Sequence, residues 1–160
     1  PRIERLFGLT GGGHPLISFV RSYHDEYRYI QGPKGAQPVI AVFDNAKVGQ
    51  EVVKIVEKIT KTTIPTGTQS IRVWDNLYVV LTSPKGSADH CIEDCFDPVF
   101  MESALAGKTI NFTSKPNSSN QISKAWFAEK VVKPNAKTIN FDGFGPLLDV
   151  IADVVAKHVP

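Results

Sequence analysis

Pro38-Val39-Ile40-Ala41-Val42-Phe43-Asp44 is the stretch that decides the fold. Its apolar run has the length of a strand, and a run apolar at every position predicts a strand buried on both faces, as in a parallel sheet. The run stops at Asp44-Asn45-Ala46. A helix follows, with Val48, Val52, Ile55, Val56 and Ile59 on one face and Lys47, Glu51, Lys54 and Lys58 largely outside it. Leu77-Tyr78-Val79-Val80-Leu81 repeats the buried-strand pattern and ends before Pro84 and Gly86. Between the two, Ile71-Arg72-Val73-Trp74 reads as a weaker strand, and Asp75-Asn76 turns the chain.

Towards the N-terminus, residues 3–9 read as a strand running into Thr10-Gly11-Gly12-Gly13, and Pro15 starts a helix whose stripe is Leu16, Ile17, Phe19, Val20 and Tyr23. Gly32-Pro33-Lys34-Gly35 is a loop. Towards the C-terminus, Asp97-Pro98 opens a short helix that Gly107 closes. Residues 111–122 predict an exposed polar loop, and residues 122–132 a helix carrying Trp126, Phe127 and Lys130. Gly145-Pro146 begins a last helix with Leu147, Ile151, Val154 and Val155 on one face. Strands alternating with helices predict an α/β fold, a small parallel sheet flanked by helices, and 160 residues suit one domain.

Composition removes several function classes. Hydrophobic residues make up 42% of the chain, which is enough for a core and too many for disorder. The formal net charge of +2 argues against a strongly basic, free-standing nucleic-acid module, but leaves room for a local basic groove. No apolar run approaches the ~20 residues of a membrane span, and residues 1–8 lack the apolar core of a signal peptide. The expectation is a cytoplasmic protein with no membrane partner. Cys91 and Cys95 have no second pair, which predicts two reduced thiols and no zinc site. His14, His24, His90 and His158 show no metal spacing.

Ligands of open parallel sheets bind beyond the carboxyl ends of the strands. Gly11-Gly12-Gly13, Asp44 and the Glu93-Asp94 pair all fall there. Asp44, Glu93 and Asp94 together offer the oxygen ligands that Mg²⁺ takes. Each also has a plainer reading: Asp44 as a helix cap, Glu93-Asp94 as a solvated turn, the glycines as a tight turn. The glycine run fits neither the P-loop nor the dinucleotide pattern. Lys130 is either a snorkelling surface lysine or a cation that steadies phosphoryl charge.

Five segments then come in order: Gly8 to His14, Pro38 to Asn45, Asn76 to Val80, Cys91 to Phe96 and Phe127 to Val132. Together they resemble the C-terminal Toprim-like region of retron reverse transcriptases that carry a fused Toprim domain. The resemblance spans nearly the whole chain. It implies a Toprim fold, Mg²⁺ as cofactor, and a nuclease acting on nucleic acid in bacterial anti-phage defence. Its partners would be the retron RNA, the reverse-transcribed DNA and the reverse-transcriptase domain of the same chain. By the resemblance, the glycine pair maps to Gly11, Gly12 and Gly13, the first acid of Asp-x-Asp to Asp44, a later acid to Glu93 and a late lysine to Lys130. Asp44, Glu93 and Lys130 would be catalytic, and Asp44, Glu93 and Asp94 would hold the metal. The three glycines, Lys47 and Lys85 would meet nucleic acid, with Arg21 and Arg28 as further phosphate contacts.

Two departures stand out. Ala46 occupies the place of the second Asp and cannot ligate a metal, so the site is expected to be inactive or impaired, either as a degenerate copy or by a deliberate substitution. The Glu-Gly pair of the first strand is missing. Glu4 lies inside the strand leading to Gly11 and cannot fill the role, so the first strand and the polymerase domain are expected upstream of Pro1. Two other functions compete. One is a non-catalytic docking module of the retron complex. The other is a phosphotransferase with Asp44 as nucleophile, of whose partners Thr82-Ser83 and Lys85 are a partial echo.

Overall fold

The computed structural model describes residues 13–27, 29, 35–111 and 120–160. The strand expected at 3–9, Glu4, Gly11, Gly12 and Arg28 lie outside those residues, as do 32–34 and 112–119 of the expected loops. In chain order the elements are α1 (Gly13–Tyr27), β1 (Val39–Phe43), α2 (Lys47–Thr60), β2 (Ser70–Trp74), β3 (Leu77–Leu81), a 3-10 turn (Ile92–Cys95) and α3 (Pro98–Leu105). Then come β4 (Thr109–Asn111), β5 (Gln121–Ser123), α4 (Lys124–Phe127), a π turn (Ala128–Val132), α5 (Lys133–Asn135), a second 3-10 turn (Asp142–Phe144) and α6 (Gly145–Lys157). The chain divides into two compact units, Pro1–Ile92 with Pro146–Pro160, and Glu93–Gly145.

The first unit is built on a three-stranded sheet in the order β1-β3-β2. β1 runs parallel to β3, with Val39 opposite Leu77 and Phe43 opposite Leu81. β2 runs antiparallel to β3, so this sheet is mixed and not wholly parallel as the sequence predicted. The cause is the turn at Asp75-Asn76. A two-residue connection can only reverse the chain, whereas a parallel partner needs a crossover. Asp75 adopts φ 38, which Asp tolerates better than most residues.

β3 is the central strand, and all five of its residues are buried. Its side chains alternate between two apolar clusters. Leu77, Val79 and Leu81 meet Ile17 and Val20 of α1 and Val52 and Val56 of α2. Tyr78 and Val80 meet Leu147 and Val154 of α6 on the opposite face. Each such Val or Leu contributes roughly 1.5–3 kcal/mol by leaving water. Val155, expected on the inner face of α6, is instead 51% exposed, since it lies a position beyond the 147, 151, 154 stripe.

The second unit packs around Phe96, whose ring centroid lies 4.9–5.8 Å from those of Phe100, Phe127, Phe141 and Phe144. Asp97 caps α3 by accepting from the N–H groups of Val99 (2.8 Å) and Phe100 (3.1 Å), as the Asp-Pro start predicted. Ala106 closes the helix at φ 47, ahead of Gly107 at φ 78. β4 and β5 pair in parallel, Ile110 opposite Ile122. The two ends of the expected polar loop are therefore strands. Ile122 is a buried strand residue and not the start of a helix, which begins after the Ser123 cap. Among the described residues, no helix is long and apolar enough to cross a membrane.

Candidate metal centre

Asp44 follows the last residue of β1, at the carboxyl end of the parallel β1–β3 pair. Gly49 holds this strand end close to α2: a Cβ there would collide with the Asp44 carbonyl oxygen. A polar lattice then ties the end of β1 to the segment after β3. The Asn45 N–H donates to Thr82 Oγ1 (2.9 Å), and Thr82 Oγ1 donates to the His90 carbonyl (2.6 Å). The His90 N–H returns to the Asn45 carbonyl (2.9 Å). Asn45 Nδ2 also donates to Ser83 Oγ (2.9 Å) and to the Pro84 carbonyl (3.1 Å). This lattice brings Cys91 and Ile92 to Asp44, whose Oδ1 accepts from the Ile92 N–H at 2.9 Å.

Glu93 comes next along the chain, within the same 3-10 turn. Within the first unit, one ligand atom of Asp44 and one of Cys91 lie within 4.8 Å of each other, a spacing at which the two could share a metal ion. The donor chemistry is mixed. A carboxylate with waters and substrate oxygens would satisfy Mg²⁺. A thiolate suits softer ions such as Zn²⁺. Glu93 is buried, and its Oε2 lies 2.7 Å from Lys124 Nζ, so its charge is already balanced by a cation.

Of the residues singled out in the sequence, Asp44 belongs to this pair; Glu93 and Asp94 fall in the second unit, where Glu93 is buried and Asp94 exposed. Lys130 is exposed within the π turn, and the lysine against Glu93 is Lys124. Lys47 is exposed as the first residue of α2. Lys85 is committed within the first unit: its Nζ donates to Glu57 Oε1 (3.0 Å) and to the Ile64 carbonyl. Thr82 and Lys85, which a phosphotransferase would need beside Asp44, thus have structural partners. Gly13 begins α1, and a Cβ there would meet the Val48 side chain, so close helix packing accounts for this glycine.

Ala46 is the N-cap residue of α2, extended at φ −135 and ψ −156, and supplies no side-chain cap. Its carbonyl accepts the first helical bond, from the Gln50 N–H, at 2.9 Å.

Sequence reasoning missed Cys91, Lys124 and Gly49. Cys91 has no partner at a metal-ligand spacing; only the strand-end lattice carries it to Asp44. Lys124 falls near the start of the helix expected over 122–132, and nothing in that stretch marks it out. Gly49 lay within a clean helical stripe, and its burial among apolar positions was the one available signal. No family model matches the chain, and no solved structure matches it.

Proposed function

We propose that this chain is the Toprim-like effector portion of a retron reverse transcriptase, a Mg²⁺-dependent nuclease region impaired by Ala46. One observation carries the reading: Asp44 stands at the carboxyl end of β1, with one of its oxygens held by the Ile92 N–H. When bound, the metal would supply an activated water and charge neutralisation at the phosphodiester. The protein's part is positioning. The Ile92 N–H fixes one Asp44 oxygen. Lys124 holds the Glu93 carboxylate in place until a cation competes for it. The retron RNA and its reverse-transcribed DNA are the partners this reading names.

The test restores the missing acid. Ala46→Asp, assayed with Mg²⁺ on single- and double-stranded DNA and on RNA, should gain cleavage that the unaltered chain lacks. Ala46→Asn, which replaces the shape but not the charge, should gain none. An Ala46→Asp protein that is folded and inert would overturn the reading.

The Glu93–Lys124 ion pair favours a second reading, a non-catalytic docking module of the same complex. A chain that binds nucleic acid tightly in chelator, and shows no Mg²⁺ binding before or after Ala46→Asp, would support the module over the nuclease.

A further inference from the structure

We propose that the groove between α1 and α2 of the first unit binds single-stranded nucleic acid, as a surface separate from the Asp44 site. The groove encloses about 410 Å³. Arg21 lines it from α1, Lys58 from α2, and Lys61 from the left-handed residue that ends α2. None of these three cations is ion-paired among the described residues. The one carboxylate in the lining, Asp25, is taken up by His24 Nδ1 at 3.0 Å. The groove therefore faces its ligand with an excess of positive charge over an apolar floor of Ile55 and Ile59.

A β-bulge adds an aromatic ring. In β2, Arg72 stands opposite Tyr78, but Trp74 stands opposite Leu77, so Val73 is the extra residue. Strict alternation would put Trp74 on the Arg72 side of the sheet. The bulge turns it to the Leu77 side, which α1 and α2 cover. There its ring meets His24 edge-on at 5.0 Å, and the residue stays 42% exposed. Unpaired cations beside an exposed indole match the chemistry of a single strand, whose phosphates take the charges and whose unpaired bases stack on the ring. A duplex hides its base faces and could use only the cations.

The proposal shares with the proposed function only its class of partner, and its test is run in chelator so that the Asp44 site is idle. Trp126→Phe leaves Trp74 as the only indole. A thymidine oligonucleotide of about 12 residues should quench that fluorescence. Arg21→Gln/Lys58→Gln/Lys61→Gln should weaken binding about tenfold or more at low salt and cut the slope of log affinity against log salt by about 2. Removing Lys108 and Lys137, exposed cations of the second unit, should leave both unchanged. An unaltered affinity and slope in the groove variant, an unquenched Trp74, or tighter binding of an acidic peptide or anionic vesicles would overturn the proposal. Cleavage by Ala46→Asp is read separately, so either idea can fail alone.

Discussion

A single methyl group stands at the point where the candidate site and a helix start coincide. Ala46 has the extended backbone of an N-cap but no oxygen to offer the free N–H groups of α2. Asp and Asn are among the best residues there, and replacing such a cap by Ala costs about 0.5–2 kcal/mol. Ala46→Asp and Ala46→Asn should therefore both stabilise the chain by about 1 kcal/mol, read as a rise in the urea midpoint. Only the carboxylate should also raise divalent-metal affinity. Equal metal binding by the two variants would assign position 46 a capping role alone. The residue type at 46 was legible as an oddity from sequence, because its neighbours Asp44 and Asn45 end a strand in the expected way. Its cost was not legible, because the helix boundary had first to be placed at Lys47.

At the scale of elements, the readable features were those that follow from local periodicity. The runs at Val39–Phe43 and Leu77–Leu81 and the stripe of α2 were all expected. The direction of β2 followed from a turn that the sequence showed, yet the alternation of strands and helices outweighed it. The short β4–β5 pair was illegible, since three-residue strands carry too few positions for a period to show. Gly49 is the element-scale residue that periodicity misses. Ala is the better helix former by about 1 kcal/mol, but its Cβ would strike the Asp44 carbonyl oxygen, a backbone atom that cannot swing aside. Gly49→Ala should therefore lower stability by about 1–3 kcal/mol and disturb metal binding at Asp44. A neutral or stabilising outcome in chemical denaturation would show that α2 can slide along the strand end.

The segment after α2 makes a pH-dependent contribution. The Ile64 N–H donates to Glu57 Oε1 at 3.0 Å, and Lys85 donates to the same oxygen at 3.0 Å. These bonds, the backbone one first, hold the Glu57 carboxyl below its ordinary value of 4.5. A carboxyl depressed in the folded state adds stability above its unfolded pKa and loses it as pH falls through the folded one. The contribution should thus be complete at neutral pH, begin to fall near 4.5 and vanish only below the lower folded value. Glu57→Gln should lower the thermal midpoint at pH 7 and bring the two proteins together in acid. A difference that persists unchanged below that value would remove the charge from the explanation.

Across the molecule, the net charge of +2 conceals its distribution: Arg21, Lys58 and Lys61 share one groove, while Lys85 and Lys124 sit in ion pairs. The first unit also joins segments far apart in the chain, and His158 shows how. The Gly35 carbonyl can only accept, so His158 Nε2 carries the hydrogen that reaches it at 2.9 Å. Nδ1 is then the acceptor for the Tyr78 hydroxyl at 3.1 Å. Beside it, Arg72 donates to the Val159 carbonyl at 3.1 Å. One imidazole thus links the segment before β1, the central strand and the residues after α6. No periodicity announces such a link. Two hydrogen bonds of about 0.5–1.5 kcal/mol each put the loss for His158→Ala at about 1–3 kcal/mol. His158→Phe keeps a ring against Tyr78, where the imidazole now lies edge-on at 5.7 Å, but makes neither bond. If the bonds carry the link, the two variants lose similar amounts in urea denaturation. If Phe restores most of the loss, ring packing holds the C-terminal residues to the sheet and the hydrogen bonds contribute little.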